Sequence, residues 1–143
     1  MKRVSDRDVP LAGHTTLGVG GPAARLVHAR GSGDLIGLVA AADTAGTPVF
    51  ILAGGSNVVV SDAGFDGLVI KPTGAEGTEA ALPDGSVLLD YGAGLNWDEL
   101  VSRTVEAGLS GIEALSGIPG SLGAAPMQNI GAYGQEVAEV IRS

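Results

Sequence analysis

Apolar residues recur along the chain with two periods, one typical of helices and one of strands. The first helical pattern lies within residues 32–46, where the apolar positions follow the i, i+3, i+4, i+7 spacing of one buried face. These positions are Leu35, Leu38, Val39 and Ala42. Ser32 is a plausible N-cap and Gly46 a plausible stop. The pattern therefore predicts an amphipathic helix here.

A second helix is predicted to begin after Asn96. Asn96 followed by Glu99 three positions later resembles a capping box, and Gly108 is the expected stop. The predicted inner face consists of Leu100, Val101, Thr104 and Val105.

Short apolar runs bounded by turn residues predict the strands. They lie at 23–29, 48–52, 58–60, 67–71 and 87–94, and a last strand is expected to start at 136. Asp84-Gly85 is a strong turn signal inside a predicted surface hairpin or loop over 73–86. Because a strand–helix–strand unit precedes hairpins, the pattern indicates an α+β (mixed α/β) fold.

The two ends of the chain carry separate expectations. Residues 1–13 are polar, so we expect a mobile segment. The last predicted strand has no visible partner, and the chain looks cut within it. An unpaired strand edge favours self-association, so we expect the C-terminal strand to pair between chains.

Composition and charge exclude several classes of function. The formal net charge is −8, and only Lys71 and Arg103 are basic between positions 31 and 141, so no nucleic-acid surface is expected. The absence of cysteine excludes disulfides and thiolate metal sites, and isolated His14 and His28 are expected to be structural or solvated rather than metal ligands. No signal peptide or membrane span is visible, which predicts a cytoplasmic protein without membrane partners.

A glycine-rich motif near the start formally fits a dinucleotide fingerprint. Residues 18–23, Gly-Val-Gly-Gly-Pro-Ala, match G-x-G-x-x-A. That fingerprint should follow a strand and open a helix, whereas this one leads into a predicted strand. We therefore reject the Rossmann interpretation.

Two loops are the candidates for ligand chemistry. "AGGSN", Ala53–Asn57, follows a predicted buried strand, where ligand loops of α/β units commonly lie. Its glycines allow close backbone approach to an anion, and Ser56 and Asn57 add uncharged donors. A tight turn between strands is the alternative, since these are also ordinary turn residues.

The second loop, Ser116–Gly134, is long, glycine-rich and without charge. Loops of this length are usually functional or disordered, and the apolar residues of this one predict that it is packed. They are Ile118, Leu122, Met127, Ile130 and Tyr133. Such a loop suits a large polar ligand, whose ring or ribose edges Gln128 and Asn129 would contact by hydrogen bonds.

No catalytic constellation is visible in the sequence. It contains no Ser/His/Asp arrangement, no convincing pair of carboxylates and no metal cluster. The acids near these loops are expected to be surface or helix-end residues, and Tyr91 and Tyr133 to be packing residues. These acids are Asp90, Asp98, Glu99 and Glu113.

Four segments in order carry a resemblance to a known family. They are "HTTLGVGGPA", "ILAGGSNVVV", "VLLDYGAGLNWDELV" and "GIEALSGIPGSLGAAPMQNIGAYG". Together they resemble the bacterial UDP-N-acetylenolpyruvoylglucosamine reductases over roughly residues 11–143. "GGSN" alone is weak, but the "SGIPG…QNIGAYG" combination is specific.

The resemblance implies an FAD-binding fold of the vanillyl-alcohol-oxidase type. It implies a first FAD-binding subdomain over 14–72, the start of a second over 73–143, and no substrate domain. The implied pyrophosphate contacts are Gly54, Gly55, Ser56 and Asn57. Residues implied along the diphosphate and flavin are Gly117, Ile118, Pro119, Gly120, Ser121, Gly123, Ala124 and Ala125. Those implied at the isoalloxazine are Gln128, Asn129, Ile130, Gly131, Ala132 and Tyr133.

The resemblance also implies a reaction, in which NADPH reduces FAD and the reduced flavin reduces the enolpyruvyl group of a UDP-sugar to UDP-N-acetylmuramate. The family's catalytic Gly-Tyr-Arg, Gly-Ser-x-Phe and C-terminal Glu motifs do not occur in this sequence. Ala53 and Ala125 also depart from the family pattern, so one phosphate hydrogen bond is expected to be missing. We therefore expect this chain alone to be inactive. An inert flavin-binding module, or a related sugar- or alcohol-oxidising flavoenzyme, is the alternative.

Overall fold

The computed structural model describes residues 5–142 and divides the chain into two compact units. The first unit ends at Gly74, and the second begins at Ala75.

The first unit is built on a four-stranded mixed sheet with the order β1-β2-β4-β3. Its strands are β1 (Ser5–Pro10), β2 (Pro22–Ala29), β3 (Val49–Ile51) and β4 (Phe65–Pro72). β1 is antiparallel to β2, whereas β2 and β3 both run parallel to β4. The carboxyl ends of β2, β3 and β4 therefore meet at one edge of the sheet.

Helix α1 (Ser32–Thr44) connects β2 to β3. Leu38 and Ala42 are buried in a cluster with Val27, Leu68 and Ile70 of the sheet. Leu35 and Val39 pack against the same cluster, so the predicted helix and its inner face are confirmed.

Three local predictions for the first unit are wrong. Within the predicted mobile segment 1–13, residues 5–10 form β1 because they pair with β2, and Leu11 is fully buried; residues 1–4 lie outside the described part. Residues 58–60 are not a strand. The N-cap of α1 is Gly31, and no side chain caps this helix.

The glycine motif at 18–23 runs directly into β2, which begins at Pro22. A strand therefore stands where a dinucleotide fingerprint needs a helix, and the rejection of the Rossmann interpretation is confirmed.

The second unit contains a hairpin, a helix and a long irregular segment. The hairpin strands β5 (Gly77–Ala81) and β6 (Val87–Tyr91) are antiparallel, as predicted. In the turn between them, Asp84 accepts hydrogen bonds from the backbone N–H and the hydroxyl of Ser86. Helix α2 (Trp97–Glu106) follows, and the Asn96 side chain accepts from the backbone N–H of Glu99, so the predicted N-cap is confirmed.

The core of the second unit surrounds the inner face of α2. It consists of Leu95, Trp97, Leu100, Val101, Ile112, Leu115, Ala125 and Val137. Thr104 is buried as predicted, but Val105 is 53% exposed and does not belong to the inner face. Trp97, which the sequence pattern did not predict as a core residue, is 2% exposed and belongs to this core.

The predicted C-terminal strand from 136 onward is wrong. The strand found here is limited to Gln135–Glu136 (β8), which pairs with Gly131–Ala132 (β7) inside the same unit. Val137–Glu139 then forms a 3₁₀ turn in which Val137 is buried. Val137 thus belongs to the core of this unit, whereas Val140 is 46% exposed, and the described residues contain no C-terminal strand without a partner.

Among residues 5–142, neither helix has the length and apolar character needed to cross a bilayer. Groups of three or more potential metal ligands are likewise absent from the described residues.

Candidate cofactor-binding site

The Ala53–Asn57 turn lies directly after β3, at the carboxyl edge of the first unit's sheet. Gly55 is buried in it with a φ of +73°, a conformation that L side chains rarely adopt. A Cβ at this position would lie 2.9 Å from the Cα of Thr15 and would collide with the carbonyl of His14. The backbone N–H of Thr16 donates to the carbonyl of Gly55 at 2.9 Å. Residues 14–16 therefore hold this turn in place, and only glycine fits at its centre.

The remaining predicted residues of this turn stay accessible. Gly54 and Asn57 are exposed, and Ser56 is half-buried. The N–H groups of Gly54 and Gly55 donate to no backbone carbonyl within the described chain. Two adjacent amides at the carboxyl edge of a parallel sheet suit an anion.

A basic pair that sequence reasoning missed adjoins this turn. The Nζ of Lys71 lies 3.4 Å from the Nδ1 of His14, a residue that also packs against Gly55. Burial, followed by the nearby charges of Lys71 and His28, lowers the pKa of His14. Burial also lowers the pKa of Lys71. The two residues lie 57 positions apart in the sequence, so no local pattern indicated this contact.

In the second unit, the first turn of α2 holds the glycine-rich segment at several points. Trp97 donates from its indole Nε1 to the carbonyl of Leu115 at 3.0 Å and from its backbone N–H to the carbonyl of Gly120 at 3.1 Å. Asp98 accepts from the hydroxyl of Ser116 at 2.9 Å and from the backbone N–H of Gly117 at 2.7 Å. Residues 115–120 are thus anchored at both ends.

The ionised form of Asp98 is favoured by this arrangement. The hydrogen bond from the Gly117 amide and then that from the Ser116 hydroxyl lower the pKa of the carboxyl group, against a smaller opposing effect of burial. Asp98 is therefore more than the surface acid expected from the sequence, since it holds the loop at neutral pH.

Two glycines of the anchored segment present bare backbone to open space. Gly117 and Gly120 have φ values of +78° and +142°, and no atom lies within 4 Å of the position that a Cβ would occupy at either one. The N–H groups of Gly120 and Ser121 donate to no backbone carbonyl among the described residues. Pro119, which lies between Gly117 and Gly120 in the sequence, is exposed. An uncharged backbone with open space beside its glycines is thus present here.

The residues that follow use their amides internally. Gly123 donates to the carbonyl of Ala93 at 3.0 Å, and Ala124 and Ala125 both donate to the carbonyl of Ser121. These three N–H groups are consequently committed to the fold of the loop. A ligand passing here would contact the amides of Gly120 and Ser121 instead.

Asn129 is also engaged within the unit. Its φ is +43°, its Nδ2 donates to Glu136 at 2.7 Å, and its Oδ1 accepts from the backbone N–H of Ala138 at 3.1 Å. The side chain therefore fixes the chain reversal before β7 rather than presenting its amide to a ring edge. Gln128 is exposed beside it.

A second set of side-chain contacts, made by Gln135 and Glu113, stabilises the chain just before this segment and was not predicted from the sequence. Gln135 accepts from the backbone N–H of Ala114 at 3.0 Å and donates to Glu113 at 3.1 Å. Glu113 also accepts from the N–H of Gly111, and these hydrogen bonds lower the pKa of its carboxyl group, that from Gly111 most. Glu113 is thus a structural acid.

The packing prediction for the segment is partly wrong. Ile118, Leu122 and Ile130 pack against the core of the second unit, as expected. Met127 and Tyr133, however, are 87% and 96% exposed. The remaining predicted contacts, Gly131 and Ala132, form β7, with Gly131 exposed and Ala132 half-buried.

A family model described as an FAD binding domain matches residues 13–143. The chain belongs to this family of FAD-binding domains. The predicted FAD-binding fold and its cofactor are thereby confirmed, together with the resemblance on which they rested.

Relatives and a solved structure show which members of this family the chain resembles. The chain is 48% identical to a UDP-N-acetylenolpyruvoylglucosamine reductase of Thermobifida fusca over 94% of this chain and 38% of that protein. It is 54% identical to a reductase of the same name from Nocardia farcinica, over 94% of this chain and 34% of the relative. The crystal structure of the reductase from Thermus caldophilus superposes with a TM-score of 0.68 and 31% identity, over 95% of this chain and 45% of that one. The chain thus spans about a third of the length of these curated relatives.

Each unit, taken by itself, has backbone features that fit a dinucleotide such as FAD. The first unit offers the Gly54–Gly55 amides, and the second offers the Gly120–Ser121 amides with no side chain at Gly117 or Gly120 to obstruct approach. Backbone amides of this kind suit the phosphate groups of a dinucleotide.

Proposed function

We propose that this chain is the FAD-binding part of a flavin-dependent reductase. In this proposal the whole enzyme uses NADPH to reduce UDP-N-acetylglucosamine enolpyruvate to UDP-N-acetylmuramate in the cytoplasm, for peptidoglycan synthesis. The observation that carries the proposal is the anchored, uncharged segment 115–121, whose glycines have open space above them, in a chain about half identical to reductases of that name.

The residues of this chain would bind and orient the cofactor. Gly54, Gly55, Ser56 and Asn57 would contact the pyrophosphate. The amides of Gly120 and Ser121 would contact the cofactor along its diphosphate and flavin. The Trp97 and Asp98 anchors would keep that backbone in place. When bound, FAD supplies the hydride chemistry that links NADPH to the enolpyruvyl double bond.

The ring-facing residues are also part of the proposal. Gln128, Ile130, Gly131, Ala132 and Tyr133 would line the isoalloxazine, and Asn129 would hold their backbone. Tyr133 is 96% exposed, so its ring is accessible to a ligand.

The 143-residue chain is proposed to be inert toward the sugar substrate. Its sequence has no Gly-Tyr-Arg or Gly-Ser-x-Phe motif, so it lacks the groups that the resemblance assigns to catalysis. A group that protonates the substrate carbon is needed to complete such a reduction. Binding without turnover is therefore the function that we assign to this chain by itself.

Two measurements test these statements. Flavin released by heat from the purified chain, quantified by chromatography, should be FAD rather than FMN. NADPH oxidation by the FAD-loaded chain should show no dependence on the enolpyruvyl UDP-sugar. Recovery of FMN alone would contradict the assignment of a dinucleotide site, and sugar-dependent turnover would contradict the inert chain.

A further inference from the structure

Three basic side chains gather at the carboxyl edge of the first unit's sheet. His28 on β2 and Lys71 on β4 are register partners. Side chains of such partners project from the same face of a sheet. His14 adds the third, with its Nδ1 3.4 Å from the Lys71 Nζ. This concentration of basic groups is unexpected in a chain with a formal net charge of −8.

Among the described residues, Lys71 has no anionic partner. Its side chain is half-buried, and within the part of the chain that the structure describes no carboxylate lies within 4.0 Å of its ammonium group. Burial of a cation without a compensating anion is unfavourable, which is why the pKa of Lys71 is lowered. An anion bound here would remove that penalty.

The Ala53–Asn57 turn adjoins the backbone segments that carry Lys71 and His14. The backbone N–H of Leu52, just before the turn, donates to the carbonyl of Ile70, just before Lys71, at 2.9 Å. On the other side, Gly55 packs against the His14 carbonyl so closely that no side chain fits. Lys71 and His14 are therefore neighbours in the fold of the turn that carries the Gly54 and Gly55 amides, which bond no backbone carbonyl of the described chain.

We propose that Lys71, assisted by His14, forms a cationic subsite that binds the diphosphate group of the dinucleotide beside the Ala53–Asn57 turn. The inference rests on the proposed function. It adds two basic side chains to the backbone amides and uncharged donors that the sequence predicts for this turn. A protonated Lys71 donates to Nδ1 of His14 and so places the imidazole proton on Nε2. The pair then offers ammonium and imidazole donors to phosphate oxygens, and hydrogen bonds between charged groups are the stronger kind.

The first test compares the affinity for FAD among variants of the chain. Lys71→Met should weaken FAD binding at least about tenfold and make it less sensitive to salt, since a charged hydrogen bond is lost. Lys71→Arg should restore most of the affinity and the salt dependence. Arg7→Gln, which removes an exposed charge from β1, is the matched control and should leave both unchanged.

The second test uses inorganic pyrophosphate and needs no flavin. The ring protons of His14 are followed by NMR as the pH is varied, and His28→Gln assigns them because the chain has two histidines. Pyrophosphate should raise the pKa of His14, since an anion favours the imidazolium form. The same addition should have no such effect in Lys71→Met.

The outcomes separate the two proposals. Equal FAD affinity and equal salt dependence in wild type and Lys71→Met would overturn the subsite while leaving FAD binding intact. If the wild type bound no FAD, the proposed function would fail and the pyrophosphate titration would decide the subsite alone. An unshifted His14 in that titration would overturn it.

Discussion

The carboxylate of Asp98 accepts the backbone N–H of Gly117 at 2.7 Å, which links the first turn of α2 to the glycine-rich segment. The Ser116 hydroxyl donates to the same oxygen at 2.9 Å. A single ionised side chain thus fixes the start of a segment that has positive φ at Gly117 and little regular structure of its own. The shape of this segment depends on the helix beside it.

The first prediction concerns the charge of Asp98. Its pKa is lowered from 3.8 in the folded chain, so its contribution to stability is present above that value and is lost as the pH falls through the lowered one. Asp98→Asn should therefore lower the urea midpoint at pH 7 more than at pH 3. The fluorescence of Trp97, the single tryptophan, reports unfolding of this unit. The same difference at both pH values would rule out the charged contact, and Glu106→Gln on the same helix is the control.

The second prediction contrasts the two helix N-termini. Asn96→Ala removes the side chain that accepts from Glu99 N–H and should lower the free energy of unfolding by about 1 kcal/mol. Ser32→Ala should change it by less than about 0.5 kcal/mol, because the N-cap of α1 is Gly31 and no side chain caps that helix. Urea titrations followed by circular dichroism measure both. Equal losses in the two variants would contradict the observed caps.

The third prediction tests the close approach at Gly55. Gly55→Ala should destabilise the first unit by about 3 kcal/mol or more, since it adds a collision with the backbone of residues 14 and 15 to the strain of a positive φ. Gly85→Ala has a comparable φ of +85° but open space around it, and should lose only about 1–2 kcal/mol. The difference between the two free energies of unfolding isolates the collision. A difference near zero would mean that the turn does not rest on His14.

The fourth prediction concerns the indole of Trp97. Trp97→Phe keeps an aromatic ring in the core but removes the donor to the carbonyl of Leu115, so it should lower the free energy of unfolding by about 1–3 kcal/mol. Amide exchange of residues 116–120 should also become faster, because their anchor to α2 is weakened. Circular dichroism measures the stability, and NMR measures the exchange. Unchanged exchange would show that the indole hydrogen bond does not hold the segment.

Local pattern was sufficient to predict elements whose cause lies within a few residues. The inner face of α1, the Asn96 cap and the hairpin around Asp84-Gly85 all follow from side chains close in sequence, and each is confirmed. The reductase resemblance rested on several spaced motifs, which is why it predicted the fold and the cofactor family.

The errors arise where distant residues decide the outcome. Residues 5–10 look polar and mobile, but β2 supplies hydrogen-bond partners that make them a strand. Val137 looks like part of an edge strand, yet it is buried in the core around α2. Lys71 and His14, which are in contact, lie 57 positions apart in the sequence. Asp98 and Gly117 lie 19 positions apart, so no local pattern predicts either contact.

The most direct test of the central claim is a titration of FAD into the folded 143-residue chain, followed by flavin absorbance and fluorescence. The account predicts saturable binding that Gly120→Val weakens, because a side chain there would fill the open space above the anchored segment. Gly85→Val, at another positive φ with open space, should bind FAD as the wild type does. A folded wild-type chain that binds no FAD, or that binds it equally well with valine at position 120, would contradict the account.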